Sequence, residues 1–99
     1  MYNRIVSDAI KFEWDENKRA ENVRKHGLDF PLAEYVLSDP KVATHIDNRK
    51  EYKEIRHLAY GLCFGDVLCL CYTMRQDVYR IISLRYTHDK ERSKYYDNN

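Results

Sequence analysis

The stretch Val67 to Met74, VLCLCYTM, is apolar at nearly every position. A strand with one wet face alternates polar and apolar residues; an unbroken apolar run predicts a central strand covered, at least in part, on both faces. The chain must therefore build a sheet around this segment and pack material on either side. Its 99 residues, 43% hydrophobic and 13% aromatic, suffice for one small domain with a modest core and not for two.

The hydrophobic period changes at about Lys41. Before it, Phe12 to Trp14 reads as a short strand, and Asp15 as the N-cap of a helix from Glu16 to His26, since its carboxylate can accept from first-turn amides. Ala20 and Val23 face inward, while Lys18, Arg19, Glu21 and Arg24 are solvated. Gly27 stands where a left-handed C-cap is needed, with Lys25 and His26 at the negative end of the helix dipole. DFPLAEYVLSDP predicts a second, shorter helix, capped by Asp29 or Phe30 and stopped by Asp39-Pro40. Its apolar face is Leu32, Ala33, Val36 and Leu37.

After Lys41 come four strand candidates, KVATHI, YKEIRHLAY, DVLCLCYTM and VYRIISLRY. Turns at Asp47 to Lys50, in GLCFGD, and at Arg75 to Asp77 join them tightly enough for antiparallel pairing. Strict alternation puts Val78, Arg80, Ile82 and Leu84 on one face of the last strand, and Tyr79, Ile81, Ser83 and Arg85 on the other. HDKERSKYY predicts a short terminal helix capped by His88 or Asp89, and Asp97 to Asn99 a disordered tail. The fold class is α+β: two N-terminal helices on a mainly antiparallel sheet of four or five strands, with a short C-terminal helix.

Composition narrows the function. With 17 basic and 16 acidic residues the net charge is +1, which argues against coating nucleic acid through bulk charge. From Tyr72 to Tyr86, however, Arg75, Arg80 and Arg85 face the single acid Asp77. No apolar run approaches the roughly 20 residues that cross a bilayer, and MYNRIVSDAI lacks the apolar stretch of a secretory signal, so a soluble cytoplasmic protein is expected. Cys63, Cys69 and Cys71 are odd in number and two lie in the apolar run, which predicts reduced core thiols. Cys69-x-Cys71 lacks zinc-site spacing and no histidine pair complements it, so no metal or other cofactor is expected. Cys63 lies near a turn, but nothing marks a base to activate it. Gly27, Gly61 and Gly65 read as caps and turns, leaving no phosphate-cradling loop.

What remains is basic and aromatic: Lys25 and His26 at a helix end, Arg56 on a strand, Arg75 at a strand end, and Arg80 and Arg85 on the last strand, among Tyr72, Tyr79 and Tyr86. RNA is held by phosphate contacts and by stacking on aromatic or guanidinium planes. A nuclease that makes RNA attack itself must deprotonate a 2′-hydroxyl, stabilise charge on the phosphate and protonate the leaving oxygen. Arginines serve the second task; His26, Lys25 or Glu54 could serve the others. The plainer alternative is a set of solvated or ion-paired arginines, the usual state of such residues.

Taken whole, the sequence resembles the BrnT family, toxins of type II toxin–antitoxin modules that are small ribonucleases with a RelE-like fold. The resemblance runs from about Phe12 to Tyr96. It is carried by FEWDENKRAENVRKHG with Trp14, Asp15, Lys18, Asn22, Lys25, His26 and Gly27, by Phe30, Ala33 and Asp39-Pro40, by EIRHLAYG with Glu54, Arg56 and Gly61, by VLCLCYTMR, and by RIISLRYTHDKERSKYY. IISLRY departs from the family around Arg85, where alanine before and Lys-Ala after the arginine are more typical. Residues 1–11 form an extension, 12–96 the domain and 97–99 the tail.

The resemblance implies a metal-independent endoribonuclease that inhibits translation and growth. It also implies neutralisation by a cognate BrnA-like DNA-binding antitoxin, in a complex able to bind operator DNA. Lys25 and His26 would stand at the mouth of a cleft between helices and sheet, with Arg56, Arg75 and Arg85 on the sheet side. By the same token Arg56 and Arg85 would bind the scissile phosphate, and His26 or Glu54 would move the proton. Lys18, Lys25, Arg75 and Arg80 would hold the RNA backbone, with Tyr79 as a stacking surface. The alternatives are a non-catalytic RNA-binding module and an antitoxin-binding protein that has lost nuclease activity.

Overall fold

A computed structural model describes residues 10–49 and 51–97. The elements are β1 (Lys11–Trp14), α1 (Glu16–His26), a 3-10 turn (Phe30–Leu32), α2 (Ala33–Ser38), β2 (Ala43–Ile46), β3 (His57–Cys63), β4 (Asp66–Arg75), β5 (Val78–Tyr86) and α3 (Asp89–Tyr96). They form one five-stranded sheet in the order β1-β5-β4-β3-β2, with the apolar β4 at its centre. The pairs β2–β3, β3–β4 and β4–β5 are antiparallel, as their tight connections require. β1 instead runs parallel to β5, so the sheet is mixed. Among the described residues no helix is long and apolar enough to cross a membrane.

Local chemistry sets the helix ends. The Asp15 carboxylate accepts from the amides of Asn17 at 2.7 Å and Lys18 at 3.3 Å, and Gly27, at φ 71°, closes α1 by donating to Val23 O at 2.8 Å. The second predicted helix divides into the 3-10 turn and α2. Asp29 caps the turn by accepting from the Phe30 amide at 2.8 Å, and Pro31 sits in its first positions. In α3 the Glu91 side chain reaches back to accept from the His88 amide at 3.3 Å, half of a capping box.

β4 is buried on both faces by two separate cores. Leu68, Leu70 and Tyr72 pack with Ile81, Leu84, Ala59 and Cys63 beneath Leu28, Phe30, Ala33 and Val36. On the other face Val67, Cys69 and Cys71 pack with Leu58, Tyr60 and Ile82 against Tyr95 of α3. The Tyr95 hydroxyl donates to Asp39 at 2.7 Å, which fastens α3 to the end of α2. All three cysteines are buried thiols, and burial pushes the Cys69 thiol up to about 11.

Several expectations need correction. YKEIRHLAY is strand only from His57, so Glu54 and Arg56 lie in the segment between β2 and β3 and not on a strand. Asp47 stands at the end of the ladder: its amide still donates to Arg56 O at 2.8 Å, and its buried carboxylate accepts from Arg49 Nε at 2.8 Å, Arg49 Nη2 at 2.7 Å and the Tyr52 hydroxyl at 3.3 Å, which ties down the segment that follows. Gly61 is not in a turn; only Phe64 and Gly65 form the β3–β4 connection. At Gly61 β3 passes so close to α2 that an added Cβ would lie 2.5 Å from Val36 O.

A register shift between Cys71 and Tyr72 leaves Ile82 without a cross-strand partner, so parity changes along β5. Arg80 faces Thr73 and Arg85 faces Cys69, both on the α3 side of β4. The two arginines therefore share a face of the sheet. Lys11, assigned to the N-terminal extension, already pairs with Val78 in β1, and Asp97, assigned to the tail, donates to Ser93 O at 2.8 Å. The rest of the extension, residues 1–9, and the tail residues Asn98 and Asn99 lie outside the described residues.

Candidate functional site

Two adjoining grooves open beside β5, sharing Lys18 and Ile82. β1 covers the edge of β5 only from Val78 to Ile81, after which the chain turns into α1 alongside the remainder. The buried Asn22 holds α1 there: its amide donates to Leu84 O at 2.8 Å and Leu28 O at 2.9 Å and accepts from Leu84 N at 3.0 Å. Lys18, Lys25 and His26 thus line the first groove, opposite Ile82 and Ser83.

The second groove collects Tyr52, Glu54 and Arg56 from the segment before β3, Thr73 and Arg75 from β4, and Arg80 from β5. Arg75 donates to Glu54 from Nε at 3.1 Å and from Nη2 at 3.0 Å. Glu13 of β1 lies 3.6 Å from Arg80 and 3.9 Å from Arg75. The Arg56 guanidinium stacks 4.0 Å above the Tyr52 ring. Neither Arg56 nor Lys18 has a carboxylate partner among the described residues, so a visiting anion would meet no competing carboxylate at either.

The Arg75 hydrogen bonds, aided by the fields of Arg80 and Arg56, hold the Glu54 carboxyl below its usual range against the opposing effect of desolvation. The groove is therefore a cationic strip in which Glu54 is kept ionised by Arg75, with Glu13 beside Arg75 and Arg80 at its edge. It can neutralise a phosphodiester and place a proton acceptor beside it. Among the described residues no three histidine, cysteine or acidic side chains converge to hold a metal ion.

Of the residues singled out in the sequence, Lys18, Lys25, His26, Glu54, Arg56, Arg75 and Arg80 come together along these grooves. Arg85 and Tyr79 do not. Arg85 grips Glu91 with both terminal nitrogens at 2.7 Å, which joins β5 to α3. Tyr79 packs in the helix-side core, its ring 5.0 Å from Tyr72 and 6.0 Å from Phe12. Sequence reasoning did not find Glu13, Tyr52 or Thr73. Glu13 acquires meaning only through its register position opposite Arg80, which depends on the parallel β1–β5 pairing.

No curated protein matches the sequence. The family described as "Ribonuclease toxin, BrnT, of type II toxin-antitoxin system" matches residues 14–91, a span that holds both grooves and every residue lining them. The chain belongs to the BrnT family of ribonuclease toxins of type II toxin–antitoxin systems.

Proposed function

We propose that the chain is an endoribonuclease that cleaves RNA without a metal ion, by attack of a 2′-hydroxyl on the adjacent phosphate. The observation that carries this reading is the gathering of Lys18, Arg56, Arg75 and Arg80 around Glu54 on a protein whose net charge is only +1. Arg56 and Lys18 bind the scissile phosphate and the charge that builds on it. Glu54, kept ionised by Arg75, accepts the 2′-hydroxyl proton. His26, beyond Lys18 in the adjoining groove, gives the proton to the leaving oxygen. Lys25, Arg75 and Arg80 orient the flanking backbone. Arg85 supports α3 in this scheme, and Tyr79 stays out of RNA contact.

We assign the fold to the RelE-like toxins, and the partner to a BrnA-like DNA-binding antitoxin whose complex with the toxin binds operator DNA. A nearly neutral toxin with a local cationic groove suits a protein that must be covered by such a partner. In the cytoplasm, uncovered toxin would cut RNA, inhibit translation and arrest growth.

The test is induced expression of wild type beside Arg56→Ala with soluble protein matched, followed by incubation of purified protein with RNA in excess chelator. Arrest by the wild type alone, with 2′,3′-cyclic phosphate ends in chelator, supports the scheme. Salt-sensitive RNA binding without products would replace it by a binding module. Antitoxin binding with no effect on RNA or growth would leave a protein that has lost nuclease activity.

A further inference from the structure

Thr73 breaks the pattern of its own strand. The residues of β4 on the same face, Val67, Cys69 and Cys71, are buried and packed in the α3-side core. Thr73 is equally buried, at 3% exposed, yet its hydroxyl has no hydrogen-bond partner among the described residues. Valine has the same shape and no polar group to satisfy, so an unsatisfied threonine costs stability where valine would not. Even the half-buried Thr87, just past the end of β5, has its hydroxyl satisfied, donating to Val67 O at 2.8 Å.

The location of Thr73 supplies what the strand pattern does not. It lies in the lining of the cationic groove, directly opposite Arg80 in the β4–β5 register, with Arg75 two residues further along the same strand and face. Arg80 is held by its 3.6 Å contact with Glu13, and Arg75 by Glu54. A phosphate carries several acceptor oxygens and competes for the same guanidinium donors as these carboxylates. Thr73 Oγ1 is itself covered, so it gains such an acceptor once these arginine side chains are drawn aside toward the phosphate.

We propose that the Thr73 hydroxyl is a phosphate-binding donor on the floor of this groove, acting with Arg80 and Arg75 to fix the position of one RNA phosphate. The assignment rests on the RNA reading above for the source of that phosphate; the subsite itself recognises the phosphate group. Thr73 is a positioning residue: it orients bound RNA and moves no proton.

The experiment titrates the full chain, as wild type, Thr73→Val and Thr73→Ser, with inorganic phosphate and with a short single-stranded RNA blocked by 2′-methoxy groups, and follows thermal unfolding in parallel. Thr73→Val is expected to unfold no earlier than wild type and to bind the blocked RNA about tenfold more weakly, the loss of one hydrogen bond to a charged group. Thr73→Ser is expected to restore binding, which a purely structural role would not require. Should valine fail to fold, Thr73→Ala against Thr73→Ser makes the same comparison. Equal binding of phosphate and RNA by the valine and wild-type proteins overturns the proposal even if wild type cleaves RNA. Loss of phosphate binding in Thr73→Val, with no RNA cleavage by wild type, upholds the subsite and removes the nuclease reading. A wild type that binds neither ligand overturns both.

Discussion

The side chain of Asn22 pairs with the backbone of Leu84 as a neighbouring strand would, donating to its carbonyl at 2.8 Å and accepting from its amide at 3.0 Å. β1 ends at Trp14, opposite Ile81, and leaves the rest of that β5 edge without a strand partner. One amide closes the gap where α1 begins to run alongside. A third bond, to Leu28 O at 2.9 Å, ties the residues after the helix to the same point. The groove wall carrying Lys18, Lys25 and His26 is thereby fixed to the strand that carries Arg80.

Asn22→Ala removes these bonds and leaves buried backbone groups unpaired, so it should destabilise the protein by about 3 kcal/mol. Urea unfolding at neutral pH measures this. A loss below about 0.5 kcal/mol, the range of ordinary surface substitutions, would mean that water or rearrangement replaces the amide.

Arg56 and Arg85 should separate function from stability. Arg56→Ala removes a guanidinium that stacks on Tyr52 and has no carboxylate partner among the described residues, and should change stability by less than about 0.5 kcal/mol while abolishing RNA cleavage. Arg85→Ala removes both guanidinium bonds to Glu91, which is 11% exposed at its side chain and keeps the His88 amide, and should cost about 2 kcal/mol. A double-mutant cycle with Glu91→Gln, read by denaturant unfolding, should show most of that cost as coupling between the two. Independent, additive effects would return Arg85 to the pool of residues available for RNA.

Asp47 should give the fold a distinct acid sensitivity. Hydrogen bonds from Arg49, opposed by burial, lower its carboxyl from 3.8 to about 2. The folded state thus prefers the ionised form, and the stability this confers is complete above the ordinary value and is lost as pH falls toward the folded one. Wild type should lose about 2 kcal/mol more than Asp47→Asn between about pH 5 and pH 2. Parallel unfolding curves for the two proteins across that window would show the pair to be unimportant. Asp47→Asn should also lower cleavage at neutral pH, because the Asp47 carboxylate ties down, through Arg49 and Tyr52, the segment that carries Glu54 and Arg56.

Gly61→Ala should destabilise by about 2 kcal/mol. Its Cβ would stand 2.5 Å from Val36 O, a backbone atom that moves only if α2 is displaced from β3. Thermal unfolding reads the effect, and an unchanged midpoint would show that α2 shifts freely.

The ends of α1 could be read in the sequence because neighbouring residues make them, Asp15 capping the first turn and Gly27 the last; its inward face could not, since Ala20 and Val23, expected to face the core, are exposed and Asn22 is the buried residue. β4 was equally legible, since its unbroken apolar run admits only the centre of a covered sheet. Lys18, Lys25 and His26 could be placed together because they share one helix, and the family could be recognised from fragments in order along the chain. The tertiary structure decided everything that depends on pairing between distant segments. It set β1 parallel to β5 and so gave Glu13 to Arg80; strand periodicity carries no information about which edge a strand joins. It placed an irregularity at Ile82, which put Arg80 and Arg85 on one face where strict alternation separates them. It began β3 at His57, leaving Glu54 and Arg56 in the segment that Asp47 ties down, and turned Tyr79 into the opposite core. A cap is closed by atoms a few residues apart and leaves its mark locally, whereas register and bulges are settled by which faces the packed layers bury.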